Sequence, residues 1–460
     1  MYVGQTAGRA TTSYTRFGRS KERTSALDRR LARGQNVRLS MGKPPRRADT
    51  WQAVQARRPG GPGGVPAPER LGASEAVFVS LLVISPLLYA WVLHLYDPNL
   101  YYLSLQEDEF LEWATFWAFM LGAGAFALLA VRQRRATDLF PWFALGVSLF
   151  CFLVAMEEIS WAQRLLGYRA PEYFLEHNYQ QELNLHNVVS SDLRQEALAL
   201  VILGFGAVLP LAGLWPGLRR RLSGVAVVMP PAAIVPAFLV TFALYQVYPW
   251  QFSGEVVEMM LGAGMLVAGF TGLSEFRPDR TVPVAPRRMR AVAAASLAVV
   301  ALGLSAAWGS RSLRTADPTI LAQATTELDA LRQDFTAIAG RDSEQGPGCG
   351  LSRRIHTYVE RSRERALQVG AFSRLAAQGM PEERAAFFID PWNQPYWIRD
   401  ECSADARVRR VFVYSLGPNR RRDSSAWDIL GDDVGAWIYR SEGDVPVEHQ
   451  DAGTAAPDAP

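Results

Sequence analysis

Apolar positions run on without alternation over seven stretches, at about 76–96, 113–131, 140–157, 195–215, 226–247, 256–275 and 291–309. Each is long enough, or nearly so, to cross a hydrocarbon core of about 30 Å as a helix. After the seventh the pattern changes. Pro318 opens a run in which Leu321, Ala324, Leu328, Leu331, Phe335 and Ile338 step by three and four, the period of an amphipathic helix. Gly340 and the Gly346-Pro-Gly-Cys-Gly350 cluster end it, and a second helical stretch is predicted over 351–378. DPWNQPYWIRD (390–400) then reads as a turn and an aromatic strand, and VRRVFVYSLG (408–417) alternates as a strand does. A polar loop over 418–433 leads to VGAWIYR. The predicted fold class is a polytopic α-helical membrane protein of seven spans with a C-terminal periplasmic α+β domain.

Charge divides this map further. The mean hydropathy is −0.01 and the net charge +3, but both average a greasy middle with polar ends. Residues 1–72 hold 15 Arg and Lys against 4 acids, so a tail of +11 is joined to a remainder near −8. This predicts a basic, disordered tail over 1–72, a membrane domain over 73–310, an exported domain over 311–440 and an acidic disordered end over 441–460. No fold pattern or aromatic interleaving supports nucleic-acid binding by the tail. Attraction to anionic lipid headgroups, at about 1 kcal/mol per residue, accounts for it more simply, as does a true start at Met41. Arg132–Arg135, Arg219–Arg221 and the 277–290 stretch fall on the same side as the tail, and the alternate loops are acidic or mixed. By the positive-inside rule the N-terminus is cytoplasmic and the C-terminal domain periplasmic, in a bacterial inner membrane. Of three cysteines, Cys151 lies within the third span. Cys349 and Cys402 both fall in the exported domain, where an oxidising compartment permits a disulfide.

Candidate chemistry gathers in the loop over 157–194. Glu157 and Glu158 end the third span directly, a depth at which charge is costly and faces a bundle interior or a wet cavity. If the helix continues, Glu157, Trp161 and Arg164 share one stripe, and the guanidinium neutralises a carboxylate. Glu182, Asn184, His186 and Asn187 come just before the fourth span. His94, Glu109, Glu112, Glu255 and Glu258 belong to the same membrane face. Glu157, Glu158 and His186 are the candidate catalytic residues, for metal binding or acid/base work. The plainer role for these groups is helix capping, pairing with Arg164 and Arg169, and dipole stabilisation where Glu255 and Glu258 open a helix. No HExxH or other metal-ligand spacing is present.

EDEFLEW (107–113) and EEISWAQR (157–164) followed by NLHN (184–187) resemble a group of uncharacterised bacterial multi-pass membrane proteins over about 75–275, a likeness that implies no activity. In the exported domain, Asp390, Pro391, Trp392, Pro395 and Tyr396, then Ser415 and Gly417, then Asp432, Asp433 and Val434 resemble the C-terminal part of the major pseudopilin of type II secretion systems. Asn393 replaces that family's glycine, which Asn tolerates because it visits left-handed backbone angles. The resemblance implies a pseudopilin-like α+β fold and a calcium site in the 418–433 loop, with ligands drawn from Asp423, Asp428, Asp432 and Asp433, the first three foremost. Arg420, Arg421 and Arg422 intrude on that loop, and most of its glycines are missing. The six preceding spans and the absence of the family's leader and helix Glu argue against processing into a pseudopilus.

The expected function is an inner-membrane envelope protein that presents a pseudopilin-like domain for structural or protein-interaction use, in a secretion-related setting. The domain would contact a partner or the loop face beneath it. The alternative is a membrane-embedded enzyme, a metal-dependent or acid/base hydrolase, with an outward Glu/His site. Expected partners are the lipid bilayer and a periplasmic or secretion-system protein, with no nucleic acid.

Overall fold

Each apolar stretch becomes a helix, and where each helix packs follows from how much of its surface is polar, small or greasy. The computed structural model describes residues 71–441 except 107, 251, 275, 277–283, 313–316, 340–349, 362–379, 404 and 406. The bundle comprises α1 (Ala73–Tyr96), α2 (Phe110–Ala136), α3 (Trp142–Glu158), α4 (Ser191–Leu203, running through a π turn to Ala212), α5 (Val235–Val247), α6 (Ser253–Gly272) and α7 (Val284–Ser312). Among the described residues, five helices are long and apolar enough to cross a membrane: α1, α2, α4 with its extension, α6 and α7. A sixth span results if α3 is counted with the segment bent 60° from its end. The stretch predicted over 226–247 is helical only over Ala232–Val247. Pro230 and Pro231 lack the backbone N–H a helix needs, and Pro236 then falls in the first turn of α5, where its missing N–H costs nothing.

α2 and α6 form the centre and bury most of their length. Small residues let the helices close up. Phe238 of α5 is clasped between Gly206 and Gly264, where a Cβ would lie 1.8 and 2.3 Å from ring atoms. α3 is peripheral, burying Ala144, Cys151 and Ala155 against α2 and leaving Leu145, Leu149, Phe152 and Leu153 exposed. Such a one-sided helix suits a lipid boundary. Ser148 Oγ on the packed face donates to the Ala123 carbonyl at 2.9 Å.

The C-terminal module follows α7. Helix α8 (Pro318–Ala339) lies on a four-stranded antiparallel sheet of β1 (Leu351–Arg354), β2 (Trp397–Cys402), β3 (Arg409–Ser415) and β4 (Val434–Arg440), ordered β1-β2-β3-β4. Leu328, Leu331 and Phe335 of α8 meet Tyr396, Ile398 and Val413 on one sheet face, while Trp397, Phe412, Tyr414 and Trp437 pack on the other. The helix predicted over 351–378 is corrected at its start. Leu351–Arg354 pairs with Trp397–Asp400 as an edge strand, and helix α9 begins only at Ile355 and runs to Arg361. Residues 362–379 lie outside the described residues, as do the basic tail before Leu71 and the acidic end after Ser441. Cys151 is free and buried, and Cys402 is disulfide-bonded; Cys349, its expected partner, lies outside the described residues.

Bundle and module belong to one compact unit. Arginines form much of the join. Arg421 is buried in an ion pair with Glu109, and its Nη1 donates to the Ala307 carbonyl and Ser310 Oγ, both at 3.1 Å. Arg420 Nη1 donates to the Arg164 carbonyl at 2.6 Å, and Asn393 Nδ2 to the Gly167 carbonyl at 2.7 Å. Gln181 Nε2 donates to the Phe387 carbonyl, and Ala170 and Leu175 pack on Phe387 and Ile389. The module thus contacts the loop face of its own bundle.

Candidate functional site

The packed face of α3 runs Cys151, Ala155 and on to Glu158, so three-and-four spacing carries Glu158 inward at the helix end. The helix then breaks. Ser160, Trp161 and Ala162 take φ of 45°, 54° and 63°, three successive non-glycine residues in the left-handed region. Each costs on the order of 1–2 kcal/mol, strain that persists only where surrounding contacts impose it. Asp108 and Gln181, which border the same region, are left-handed too.

The expected stripe of Glu157, Trp161 and Arg164 is corrected by this turn. Trp161 Nε1 donates to Glu157 Oε1 at 2.8 Å, but Arg164 is swung back over the bundle. There its buried guanidinium meets Asp108 Oδ2 at 3.0 Å, Glu112 Oε1 at 2.8 Å and Glu182 Oε1 at 2.8 Å. Arg354 of β1 reaches Glu182 Oε1 at 3.4 Å. Ser160 Oγ donates to Glu182 Oε2 at 2.8 Å, so this carboxylate is fully engaged. Glu157 Oε2 accepts from the backbone N–H groups of Leu185 and His186 and lies 3.4 Å from His186 Nδ1. Arg169 carries no carboxylate partner among the described residues; it donates to the Glu383 carbonyl and covers the Phe387 ring.

A cavity of about 70 Å³ lies between these groups, and every residue lining it is polar. Glu112, Glu157, Glu158, Glu182, Glu255 and Glu258 face it with Arg164 and His186, an excess of negative charge that suits a cation. On one side Glu158, Glu255 and Glu258 bring carboxylate oxygens within 4.8 Å of one another. That separation is about twice a calcium–oxygen bond, so one ion fits between them, and closure by a few tenths of an ångström suits magnesium or manganese. All-oxygen donors favour these hard cations over zinc. Among the described residues neither Glu158 nor Glu258 has a hydrogen bond or ion pair to the protein. The sequence singles out Glu158 and His186 as catalytic candidates and places Glu255 and Glu258 on the same face, with helix-opening as their plainer role. Their i, i+3 spacing on one face of α6 is the signal that groups them. His94 stays out of the cavity, stacked on Trp250 at 5.9 Å and edge-on to Tyr101 at 5.2 Å.

A second acidic group lies in the 418–433 loop. Of the four expected ligands, Asp423, Asp432 and Asp433 converge within 4.8 Å; Asp428 stands outside the group, accepting from Ile429 N and, through its carbonyl, from Ser425 N. Asp433 Oδ2 accepts from the N–H groups of Asp423 and Ser424, and Asp432 Oδ2 from that of Asn419. The Oδ1 atoms of Asp432 and Asp433 are buried without a hydrogen bond. Burial, with the neighbouring Asp423, pushes Asp432 up to about 7, and burial pushes Asp433 up to about 6. Arginines 420–422 do not intrude: the first two reach the bundle, and Arg422 covers the Trp397 ring at 4.4 Å. In the turn before β2, Asn393 takes φ of +64°, as its replacement of glycine requires. Asp390 Oδ1 there accepts from the N–H groups of Trp392 and Gln394, and burial pushes this carboxyl up to about 7.

No protein-family model, curated protein or solved structure matches the chain. The functional reading therefore rests on the site's own geometry.

Proposed function

We propose that the chain is a seven-span protein of a bacterial inner membrane, and that the cavity is a divalent-cation-dependent hydrolytic site at its outward end. The arginine distribution supports the orientation, with the N-terminus cytoplasmic and the C-terminal module periplasmic above the cavity. One observation carries the site. Glu158 and Glu258 come from different helices to meet Glu255, and neither of the two has a hydrogen bond or ion pair among the described residues, while Glu112, Glu157 and Glu182 are each satisfied. A magnesium, manganese or calcium ion held by the three carboxylates would polarise a substrate oxygen. Glu157 orients His186 through Nδ1, leaving Nε2 to take a proton from the attacking water and return it to the leaving group. The pseudopilin-like module then serves as a docked cover, and its contact with the loop occupies a face that a secretion partner would otherwise use.

Thermal unfolding of the full-length protein in detergent tests the site. Manganese at 100 times its dissociation constant should stabilise the wild type by about 2.7 kcal/mol. The shift should vanish in the Glu158→Gln, Glu258→Gln double variant and persist in His186→Ala. Equal shifts in wild type and double variant would overturn the proposal.

A second cation reading is supported by the orphaned Oδ1 atoms of Asp432 and Asp433, which would take calcium. Asp390, Asp432 and Asp433 have folded-state values near 7, 7 and 6, above the 3.8 of a free Asp. The folded state therefore binds more protons than the unfolded state between pH of about 4 and 7, and stability falls as pH rises through that window. Without calcium the protein should melt higher at pH 5 than at pH 8. Calcium competes with the protons on Asp432 and Asp433, so its stabilisation should be larger at pH 8, and Asp432→Asn should diminish it. A calcium shift that is independent of pH, or unchanged in the variant, would refute this.

A further inference from the structure

Ser160, Arg164, Gln180, Glu182 and Asn184, from the loop that follows α3, form part of the cavity wall. That loop is itself covered, because Arg420, Asn393 and Thr357 of the C-terminal module donate to its carbonyls at Arg164, Gly167 and Tyr179. The module thus packs on the loop that lines the cavity. The side between α3 and α4 is different. α3 packs along α2 and α4 along α5, and α3 and α4 make no extended contact with each other among the described residues. At that gap the His186 side chain is 42% exposed, and the residues leading into α4 are exposed and apolar: Leu185, Val189 and Leu193. An apolar rim around a charged pocket, at the end of bundle helices, meets the level where lipid headgroups lie.

One cation is available at this opening. Arg194, in the first turn of α4, donates through Nη1 to the His186 carbonyl and Asn187 Oδ1, both at 3.3 Å. Its Nε and Nη2 have no hydrogen bond or ion pair among the described residues, and its charge is felt by Glu258. An Arg fork beside a carboxylate-held metal ion is an arrangement that brackets phosphate oxygens.

We infer that the cavity takes the phosphate head of an outer-leaflet amphiphile, admitted sideways through the gap between α3 and α4 past Leu185 and Leu193. The phosphate lies between the metal ion and Arg194, and the acyl chains stay in the bilayer. This rests on the cation-site reading, and the two are separable by experiment. The full-length protein is placed in phosphatidylcholine nanodiscs with a minor fraction of phosphatidic acid, and manganese binding and lipid retention are measured on the same samples. Manganese binding is read by electron paramagnetic resonance and lipid retention by native mass spectrometry after detergent release. Phosphatidic acid should be retained over phosphatidylcholine about tenfold in the presence of magnesium, as loss of one charge-assisted contact worth about 1.4 kcal/mol would imply. Arg194→Gln should remove that preference. Leu185→Trp with Leu193→Trp should reduce retention and leave manganese binding unchanged. Glycerol 3-phosphate, which carries the same phosphate without chains, should not displace the lipid at equal concentration. Manganese binding without lipid preference, preference unaltered in Arg194→Gln, or equal competition by glycerol 3-phosphate would each overturn the inference while leaving the cation site standing. Absence of manganese binding would sink both.

Discussion

Replacing Arg164 by Met should cost about 3–5 kcal/mol and leave little folded protein to purify. The guanidinium is buried and answers three acids on three segments: Asp108 before α2, Glu112 in its first turn and Glu182 in the following loop. Without it all three carboxylates lose an ion pair, and Glu182 keeps the one with Arg354. The expense lies in the stranded charges more than in the missing contact. Adding Asp108→Asn, Glu112→Gln and Glu182→Gln to Arg164→Met should therefore recover a large part of the loss. Yield and melting temperature in detergent check both steps. A single variant that melts within about 1 °C of wild type would show that the node contributes no more than about 1 kcal/mol.

Arg421→Ala should loosen the C-terminal module from the bundle. Arg421 is the most enclosed of the joining arginines, with Glu109, the Ala307 carbonyl and Ser310 Oγ around it. Removing it leaves Glu109 beneath the module without that partner, at a cost of about 3 kcal/mol. Hydrogen exchange reads the outcome by region. Amides over 160–187 and 418–433 should exchange faster, and those of α2 and α6 should not change. If the loop amides keep their protection, the module is held by the Phe387 seam and the Asn393 and Gln181 contacts instead.

How much of this was legible depends on how local each signal is. Apolar runs are local, and all seven give helices, with α5 shortened by a Pro230-Pro231 pair that is itself visible in the sequence. The period of α8 and the alternation of β3 are local as well. The edge strand Leu351–Arg354 was missed because four residues carry too little pattern, and its identity comes from pairing with β2. The break after Ile159 was missed for another reason: no Gly or Pro marks it, and the strained residues are held there by contacts with Glu157, Glu182 and Tyr168. With the break hidden, Arg164 was assigned to the wrong carboxylate.

The candidate site was half visible. Glu157, Glu158 and His186 stand out because charge at the end of an apolar run is costly. Their division of labour is tertiary. It depends on the end of α3 meeting the start of α6, where Glu255 and Glu258 also look like ordinary helix-opening acids. Likewise the arginines at 420–422 looked like intruders in an acidic loop, and only the docked bundle shows where they go.

Manganese binding to the full-length protein, counted by electron paramagnetic resonance, tests the central claim most directly. With calcium absent and Asp432→Asn used to silence the loop, the wild-type cavity should bind one ion, and Glu158→Gln with Glu258→Gln should bind none. Retention of that ion in the double variant would contradict the account.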